Sequence, residues 1–177
     1  MPLGEDKLKQ NWQEAQKSIA DFLKNNSFMV WEERRIENKR VDILAKRSYN
    51  NKTFYLVFEV KHYEKITSST EDKSFEQLED YLRLLVNREI KRKTKKHILE
   101  KYLFVGYLVL SKDYGIYLNR KKNWRKKQHF SDDKILSEIW RRNVFLFCSS
   151  QKHIQPNLES IGFKFYSQSK LSDFFQK

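Results

Sequence analysis

The stretch that decides the fold is Arg40–Lys61, RVDILAKRSYNNKTFYLVFEVK, which predicts two adjacent β-strands joined by a short turn. We place the strands at 40–47 and 53–62, because residues alternate between two faces along both. The turn between them contains two asparagines, which tolerate positive φ. Both strands are too apolar to be edge strands that face water on both sides. Charge nevertheless sits beside their apolar residues.

The charged residues are Asp42 in the first strand and Glu59 and Lys61 in the second. Burying an unpaired charge costs several kcal/mol, so charges near a core are paired or bind a metal. Two carboxylates and an ammonium on neighbouring strands suit Mg²⁺, which takes one or two carboxylates and completes its shell with water and phosphate. An ordinary ion pair on a partly solvated sheet face explains the same spacing. The spacing alone leaves both interpretations open.

Length and composition indicate one α/β domain over residues 1–177. No window is long and apolar enough to span a membrane, and the N-terminal MPLGEDKLKQ lacks an apolar signal region, so we expect a cytoplasmic protein without a membrane partner. The lone Cys148 excludes an internal disulfide and cysteine-based zinc or iron–sulfur sites. The 4 histidines lack metal-ligand spacing, and the 4 glycines form neither a dinucleotide motif nor a P-loop.

The net charge of +13 is concentrated in two basic clusters, which favour nucleic acid as a partner. An aromatic residue within a basic run also suits stacked bases. A solvated surface and contact with anionic lipid are the alternatives. The first cluster contains Arg88, Lys91, Arg92, Lys93, Lys95 and Lys96, and the second contains Arg120, Lys121, Lys122, Trp124, Arg125, Lys126 and Lys127.

Hydrophobic periodicity extends the fold in both directions from the opening stretch. We predict a helix over 5–25 and a strand over 28–36 before it. A second helix begins between Ser68 and Ser74, where two capping boxes occur, and a central strand follows at 101–112. We also predict a strand at 114–119, a helix from Ser131 to Arg142, a strand at 143–148 and an amphipathic end at 171–175.

Asp42 followed by Glu59-Val60-Lys61 resembles the D…(D/E)xK signature of the PD-(D/E)xK nuclease superfamily. Gln77-Leu-Glu-Asp-Tyr81 resembles the QxxxY motif of its RecB-type branch. The resemblance implies the restriction-endonuclease-like fold, a central mixed sheet flanked by helices in the order α-β-β-β-α-β. The expected elements match this order over about residues 5–112, with a C-terminal α/β extension over 113–177. The residue before Asp42 is Val41, which departs from the proline of the superfamily name.

The resemblance implies a Mg²⁺-dependent deoxyribonuclease, with Mn²⁺ as a substitute, whose metal is held by Asp42, Glu59, the Val60 carbonyl and the first-helix acid, Glu14. Lys61 would orient water or neutralise the phosphate. We prefer this role to that of a base, because adjacent carboxylates favour the charged ammonium. Gln77 and Tyr81, expected on one face of the second helix beside its apolar stripe, would contact the phosphate backbone or brace the metal ligands. Ordinary packing of that helix on the sheet is the alternative for both.

Two other functions remain open at this point: a non-catalytic nucleic-acid-binding protein that keeps the nuclease fold, and a scaffold or membrane-surface protein that uses only the basic clusters. One active site cuts one strand, so cutting a duplex would require a homodimer or repeated attack. A motor or defence partner would be a separate chain, because this one has no ATP-binding motif.

Overall fold

A computed structural model of the protein describes residues 2–61, 68–110 and 134–164. The predicted strand at 114–119, the second basic cluster, Ser131 and the amphipathic end at 171–175 lie outside these ranges.

The elements follow the predicted order from α1 to β4, with one addition. Helix α1 is followed by three strands, then α2, then β4, and the short helix α3 lies between α2 and β4. After β4 come α4, β5, a 3₁₀ turn and α5. The bounds are α1 Pro2–Asn25, β1 Met29–Ile36, β2 Lys39–Tyr49, β3 Lys52–Lys61, α2 Ser68–Arg92, α3 Lys95–Lys101, β4 Tyr102–Leu110, α4 Lys134–Arg142, β5 Val144–Ser150, the 3₁₀ turn Gln151–His153 and α5 Ile154–Ser160.

The strands of the described ranges form one mixed sheet in the order β1-β2-β3-β4-β5. Strand β2 runs antiparallel to β1 and β3, whereas β4 runs parallel to β3 and β5 parallel to β4. A parallel neighbour requires a crossover, and α2 and α3 supply it between β3 and β4. The strand order places β2 and β3 in the interior of the sheet, as their apolar sequences predict.

Helices cover both faces of the sheet, so the fold is an α/β protein with three layers. On one face, α1 and α5 pack through Ile19, Phe22 and Leu158 against residues such as Phe58. On the other face, α2, α3 and α4 pack against the alternate residues of the same strands, such as Val57. Because β3 is buried on both faces, its sequence is a nearly continuous apolar run.

The turn between β2 and β3 confirms the role predicted for its asparagines. Asn50 has φ of 50° and Asn51 has φ of 62°. Two consecutive positive φ values are typical of the tight turns whose twist matches that of a hairpin. The turn thereby fixes the register that pairs Ile43 with Phe58.

No helix in the described part of the chain is long and apolar enough to cross a membrane.

Candidate active site

The candidate site lies where β2 begins and β3 ends. The paired register of these strands stops at Ile43↔Phe58, and its continuation sets Asp42 opposite Glu59. Alternation along β3 places the Glu59 side chain on the face of the sheet that α2 covers, with Val57. The sequence therefore brings the two carboxylates together through one hairpin.

At the point where β2 and β3 separate, the Asp42 carboxylate takes the place of a backbone partner in the hydrogen bonding between the strands. Its Oδ2 accepts a hydrogen bond from Val60 N–H at 2.7 Å. The N–H and C=O of a strand residue point to the same side, so the Val60 carbonyl also faces β2. This carbonyl thus lies on the same side of β3 as the Asp42 carboxylate.

Glu59 is 5% exposed and forms an ion pair with Lys61, whose Nζ lies 3.4 Å from Glu59 Oε2. The ion pair that was the plainer interpretation of this spacing is therefore present. Lys61 also acts on the second carboxylate, Asp42. Arg40 acts on both Asp42 and Glu59 and is itself paired with Glu33 at 2.5 Å.

Burial raises the pKa values of both carboxyl groups, and the nearby Asp42 adds to the rise at Glu59. The pKa of Glu59 rises to about 7, first because burial disfavours the anion and then because Asp42 is close, while Lys61 and Arg40 oppose the rise. The pKa of Asp42 is raised by burial, against the hydrogen bond from Val60 and the positive charges of Lys61 and Arg40. Near neutral pH, the pair therefore holds a proton for part of the time. A cation that replaced this proton would relieve the repulsion.

Gln16 is the residue of α1 that meets the site, and the sequence analysis missed it. It is 7% exposed, and its Nε2 donates to the Asp42 backbone carbonyl at 3.4 Å. Its Oε1 is buried and has no hydrogen-bond partner among the described residues. Gln16 lies three residues before Ile19 on the apolar stripe of α1, and a polar residue on such a stripe is the signal that could have identified it.

Glu14 is not brought to the site. Its side chain is exposed, two residues and thus about 200° around α1 from Gln16. Among the described residues, no group of three or more Asp, Glu, His or Cys side chains is placed to hold a metal ion. Among the side chains of α1 that the structure describes, from residue 13 onward, none adds a third carboxylate to Asp42 and Glu59.

Gln77 and Tyr81 differ in their environment. Gln77 is exposed, whereas Tyr81 is fully buried within the apolar stripe of α2 rather than beside it. The Tyr81 hydroxyl has no hydrogen-bond partner in the described part of the chain. The packing expected as the alternative therefore describes the Tyr81 ring.

Lys93 of the first basic cluster lies at the opposite end of the sheet from the carboxylates. Lys93 Nζ is 5.8 Å from the centre of the Tyr102 ring, and Tyr102 pairs with Thr53 at the start of β3. Thr53 precedes Glu59 by six residues, which corresponds to about 20 Å along the strand. Four members of the cluster are exposed and two are half-buried. The exposed members are Lys91, Arg92, Lys93 and Lys96, and the half-buried ones are Arg88 and Lys95.

Comparison of the chain with protein-family models, with curated proteins and with solved structures finds no match. The chemistry of the site therefore has to be argued from its own residues.

The donor set fits Mg²⁺. Two carboxylates and one backbone carbonyl are hard oxygen ligands, and Mg²⁺ in proteins keeps several positions for water and phosphate. One oxygen of each carboxylate is in a contact described above: Asp42 Oδ2 accepts from Val60 N–H, and Glu59 Oε2 pairs with Lys61. Each carboxylate also has a second oxygen, Oδ1 in Asp42 and Oε1 in Glu59. The unpartnered Gln16 Oε1 supplies a further acceptor beside Asp42, suited to hold a water molecule.

Proposed function

We propose that the protein is a metal-dependent nuclease that hydrolyses phosphodiester bonds in nucleic acid, with DNA as the preferred substrate. The observation that carries this proposal is the pair formed by the buried Glu59 and the half-buried Asp42, whose carboxylates are close to each other and have Lys61 beside them. Retaining two carboxylates at such cost is typical of functional sites. The order of elements around the pair is that of the restriction-endonuclease-like core implied by the sequence resemblance, and supports the assignment.

Asp42 and Glu59 would hold Mg²⁺, with Mn²⁺ as a substitute, and the Val60 carbonyl would be the third protein ligand. The ion would activate water and neutralise the scissile phosphate. The hydrogen bond from Val60 fixes the Asp42 carboxylate, so little reorientation is needed for binding.

Lys61 would place a positive charge against the phosphate and orient the attacking water. Its ammonium is 3.4 Å from Glu59 Oε2, and its positive charge also acts on Asp42. A charged lysine donates hydrogen bonds and cannot accept a proton, which supports an orienting role over that of a base. Gln16 would position water through its amide oxygen.

The test is cleavage of supercoiled and linear DNA by the purified chain with Mg²⁺ or Mn²⁺. We expect Asp42→Asn and Glu59→Gln to lower the rate by on the order of 100-fold or more, because each removes charge that the transition state requires. Glu100→Gln, which removes an exposed carboxylate on α3, is the matched control and should cleave like the parent. Equal cleavage by the two site variants and the parent would refute the proposed site.

Metal binding gives an independent measurement. Mg²⁺ should raise the melting temperature of the parent and of Glu100→Gln, since a ligand that binds only the folded state stabilises it. The shift should be much smaller in Asp42→Asn. A protein that binds DNA with strong salt sensitivity, turns nothing over and is indifferent to EDTA and to Lys61→Ala would instead be a non-catalytic binding protein.

A further inference from the structure

Strands β1 and β2 lose their regular pairing at the level of Asp42. The pairing continues on both sides of Glu33 and Asp42, but these two residues, which the register would set opposite each other, are not paired. Val41 and Ile43 are two residues apart, so in a regular strand they would share a face of the sheet. Val41 instead packs on the face that α2 covers, and Ile43 on the face that α1 covers. The sheet is therefore irregular at the level of the Asp42 carboxylate.

Glu33 has a backbone conformation that is unusual for its residue type. Its φ is 52°, in the left-handed region, which is costly for a residue with a side chain. Strained backbone of this kind is concentrated at functional sites. The Glu33 carboxylate meets Arg40, whose Nη2 lies 2.5 Å from Glu33 Oε2. Because Arg40 precedes Asp42 by two residues on β2, the ion pair holds a guanidinium next to the candidate site.

The guanidinium of Arg40 is accessible and acts on both carboxylates of the site. Its positive charge opposes the rise in the pKa of Asp42 and in the pKa of Glu59. The side chains of Arg40 and Glu33 are each 47% exposed. An exposed ion pair contributes little to stability, and a guanidinium in contact through one nitrogen has further N–H groups to donate. A ligand at the carboxylates can therefore reach Arg40 without disturbing a buried contact.

The balance of charge gives Arg40 a role that Lys61 alone does not fill. Three carboxylates, those of Glu33, Asp42 and Glu59, face the two cations Arg40 and Lys61, so one negative charge is in excess. With a divalent ion counted, the excess becomes one positive charge, which matches the single negative charge of a phosphodiester. Without Arg40 the same count would be neutral. Arg40 therefore supplies the charge that makes the site attractive to a phosphate.

We propose that Arg40 is a substrate-contacting residue, which donates to a phosphate oxygen of the nucleic-acid strand held at Asp42 and Glu59. A guanidinium matches phosphate oxygens in charge and geometry. Lys61 lies on β3 and Arg40 on β2, so the phosphate would be held from two strands. The contact deepens the proposed function and rests on it for the identity of the ligand.

The test is fluorescence polarisation of a labelled 20-base-pair DNA duplex and of a 20-nucleotide single strand over a salt series in EDTA, which prevents cleavage. Arg40→Gln should weaken binding of both about fivefold or more, because a hydrogen bond from a charged group is lost. It should also reduce the slope of log K against log salt concentration, by about 0.9 on the duplex and about 0.7 on the single strand. Arg40→Lys should keep the slope of the parent and recover only part of the affinity, since it retains the charge and loses the planar fork. Both variants should melt close to the parent, because the ion pair is exposed.

Arg83→Gln is the matched control. Arg83 also pairs with a carboxylate, that of Asp80 at 3.7 Å, and is 44% exposed, but it lies on α2. Its substitution should weaken binding less than twofold. Equal losses for Arg40→Gln and Arg83→Gln, or unchanged affinity for Arg40→Gln, would overturn the contact.

Binding in EDTA needs no turnover, so the contact and the nuclease can fail separately. The expected binding pattern in a protein that cleaves no DNA would uphold the Arg40 contact and refute the nuclease. Cleavage by the parent, with Arg40→Gln binding DNA as tightly as the parent, would do the reverse.

Discussion

Glu59 occupies a position where an anion is costly. Its side chain lies on an interior strand, is 5% exposed and faces the carboxylate of Asp42. An apolar residue would pack there at lower cost. The charge of Glu59 is therefore better explained by function than by stability. The free-energy cost of burying this charge has a measurable pH dependence.

Stability should fall as pH rises through the range in which folded Glu59 keeps its proton and unfolded Glu59 loses it. The pKa rises from an ordinary 4.5 to about 7 on folding, so the folded state binds more protons between these values. The free energy of unfolding then decreases with rising pH, by up to about 3 kcal/mol across the window. Urea denaturation between pH 4.5 and 8.5, without metal, measures it.

In Glu59→Gln most of this slope should disappear, and at pH 8 without metal the variant should be more stable than the parent. Mg²⁺ at pH 8 should restore stability to the parent and not to the variant, because the ion takes the place of the proton. A pH slope that is unchanged in Glu59→Gln would show that Glu59 is not the group responsible.

Single residues also mark the limit of what the sequence predicts. Asp42, Glu59 and Lys61 could be placed together because alternation and a tight turn are local rules. Gln16 could not, because its role depends on which part of β2 the helix α1 crosses, and that is decided by tertiary packing. Tyr81 was expected beside the apolar stripe of α2, but α2 packs on the sheet along a face that includes it.

Asn143 joins three elements through one side chain. It lies between α4 and β5, is 5% exposed, and its Nδ2 donates to the carbonyls of Leu99 at 2.8 Å and Tyr102 at 2.6 Å, with a longer contact to Ile98 at 3.3 Å. These carbonyls belong to the end of α3 and the start of β4. Helix ends leave carbonyls without intrahelical partners, and here the amide satisfies them.

Asn143→Ala should reduce the free energy of unfolding by about 2–3 kcal/mol, because buried carbonyls lose their donor. Urea denaturation should show a lower midpoint with an unchanged m-value, and the far-ultraviolet circular dichroism of the folded protein should be retained. Asn87→Ala, at an exposed position of α2, is the control and should be neutral or slightly stabilising, since alanine favours helix. Equal stability of Asn143→Ala and the parent would mean that α3 is held by its apolar contacts alone.

The elements themselves were predictable to the extent that their periodicity is strong. Strands β2 and β3 follow the predicted pattern because both are interior strands, and β3 is buried on both faces. Helix α3 was not predicted, although Thr94 caps it by accepting from His97 N–H at 3.2 Å. Its seven residues present one fully buried side chain, Ile98, which is too little periodicity to distinguish a helix from a basic loop.

At the scale of the whole molecule, the carboxylate pair and the exposed basic residues are separated along the sheet. The carboxylate pair lies at one end of β3, and the exposed lysines and arginine at the end of α2 and the start of α3 lie about 20 Å away along the sheet. A single phosphate cannot contact both. Arg88 lies 3.7 Å from Glu89, which accepts from Tyr55 midway along β3, so in the proposed function these basic groups mark a path along which a nucleic-acid backbone would run.

This path predicts a dependence on substrate length. A span of about 20 Å corresponds to roughly 6 base pairs of duplex, so a duplex extending less than that beyond the carboxylate site cannot reach the distal lysines. The variant in which Lys91, Arg92, Lys93 and Lys96 are all changed to Gln should bind a 20-base-pair duplex much more weakly, with a salt slope reduced by about 3 to 4. It should bind a hairpin with a stem of only about 4 base pairs, which is shorter than the span, nearly as well as the parent. Binding titrations in EDTA over a salt series measure both quantities. The parent should gain affinity steeply as the duplex lengthens past this span, whereas the variant should gain little. An equal proportional loss for short and long duplexes would mean that the cluster acts as a diffuse field rather than as a distal contact.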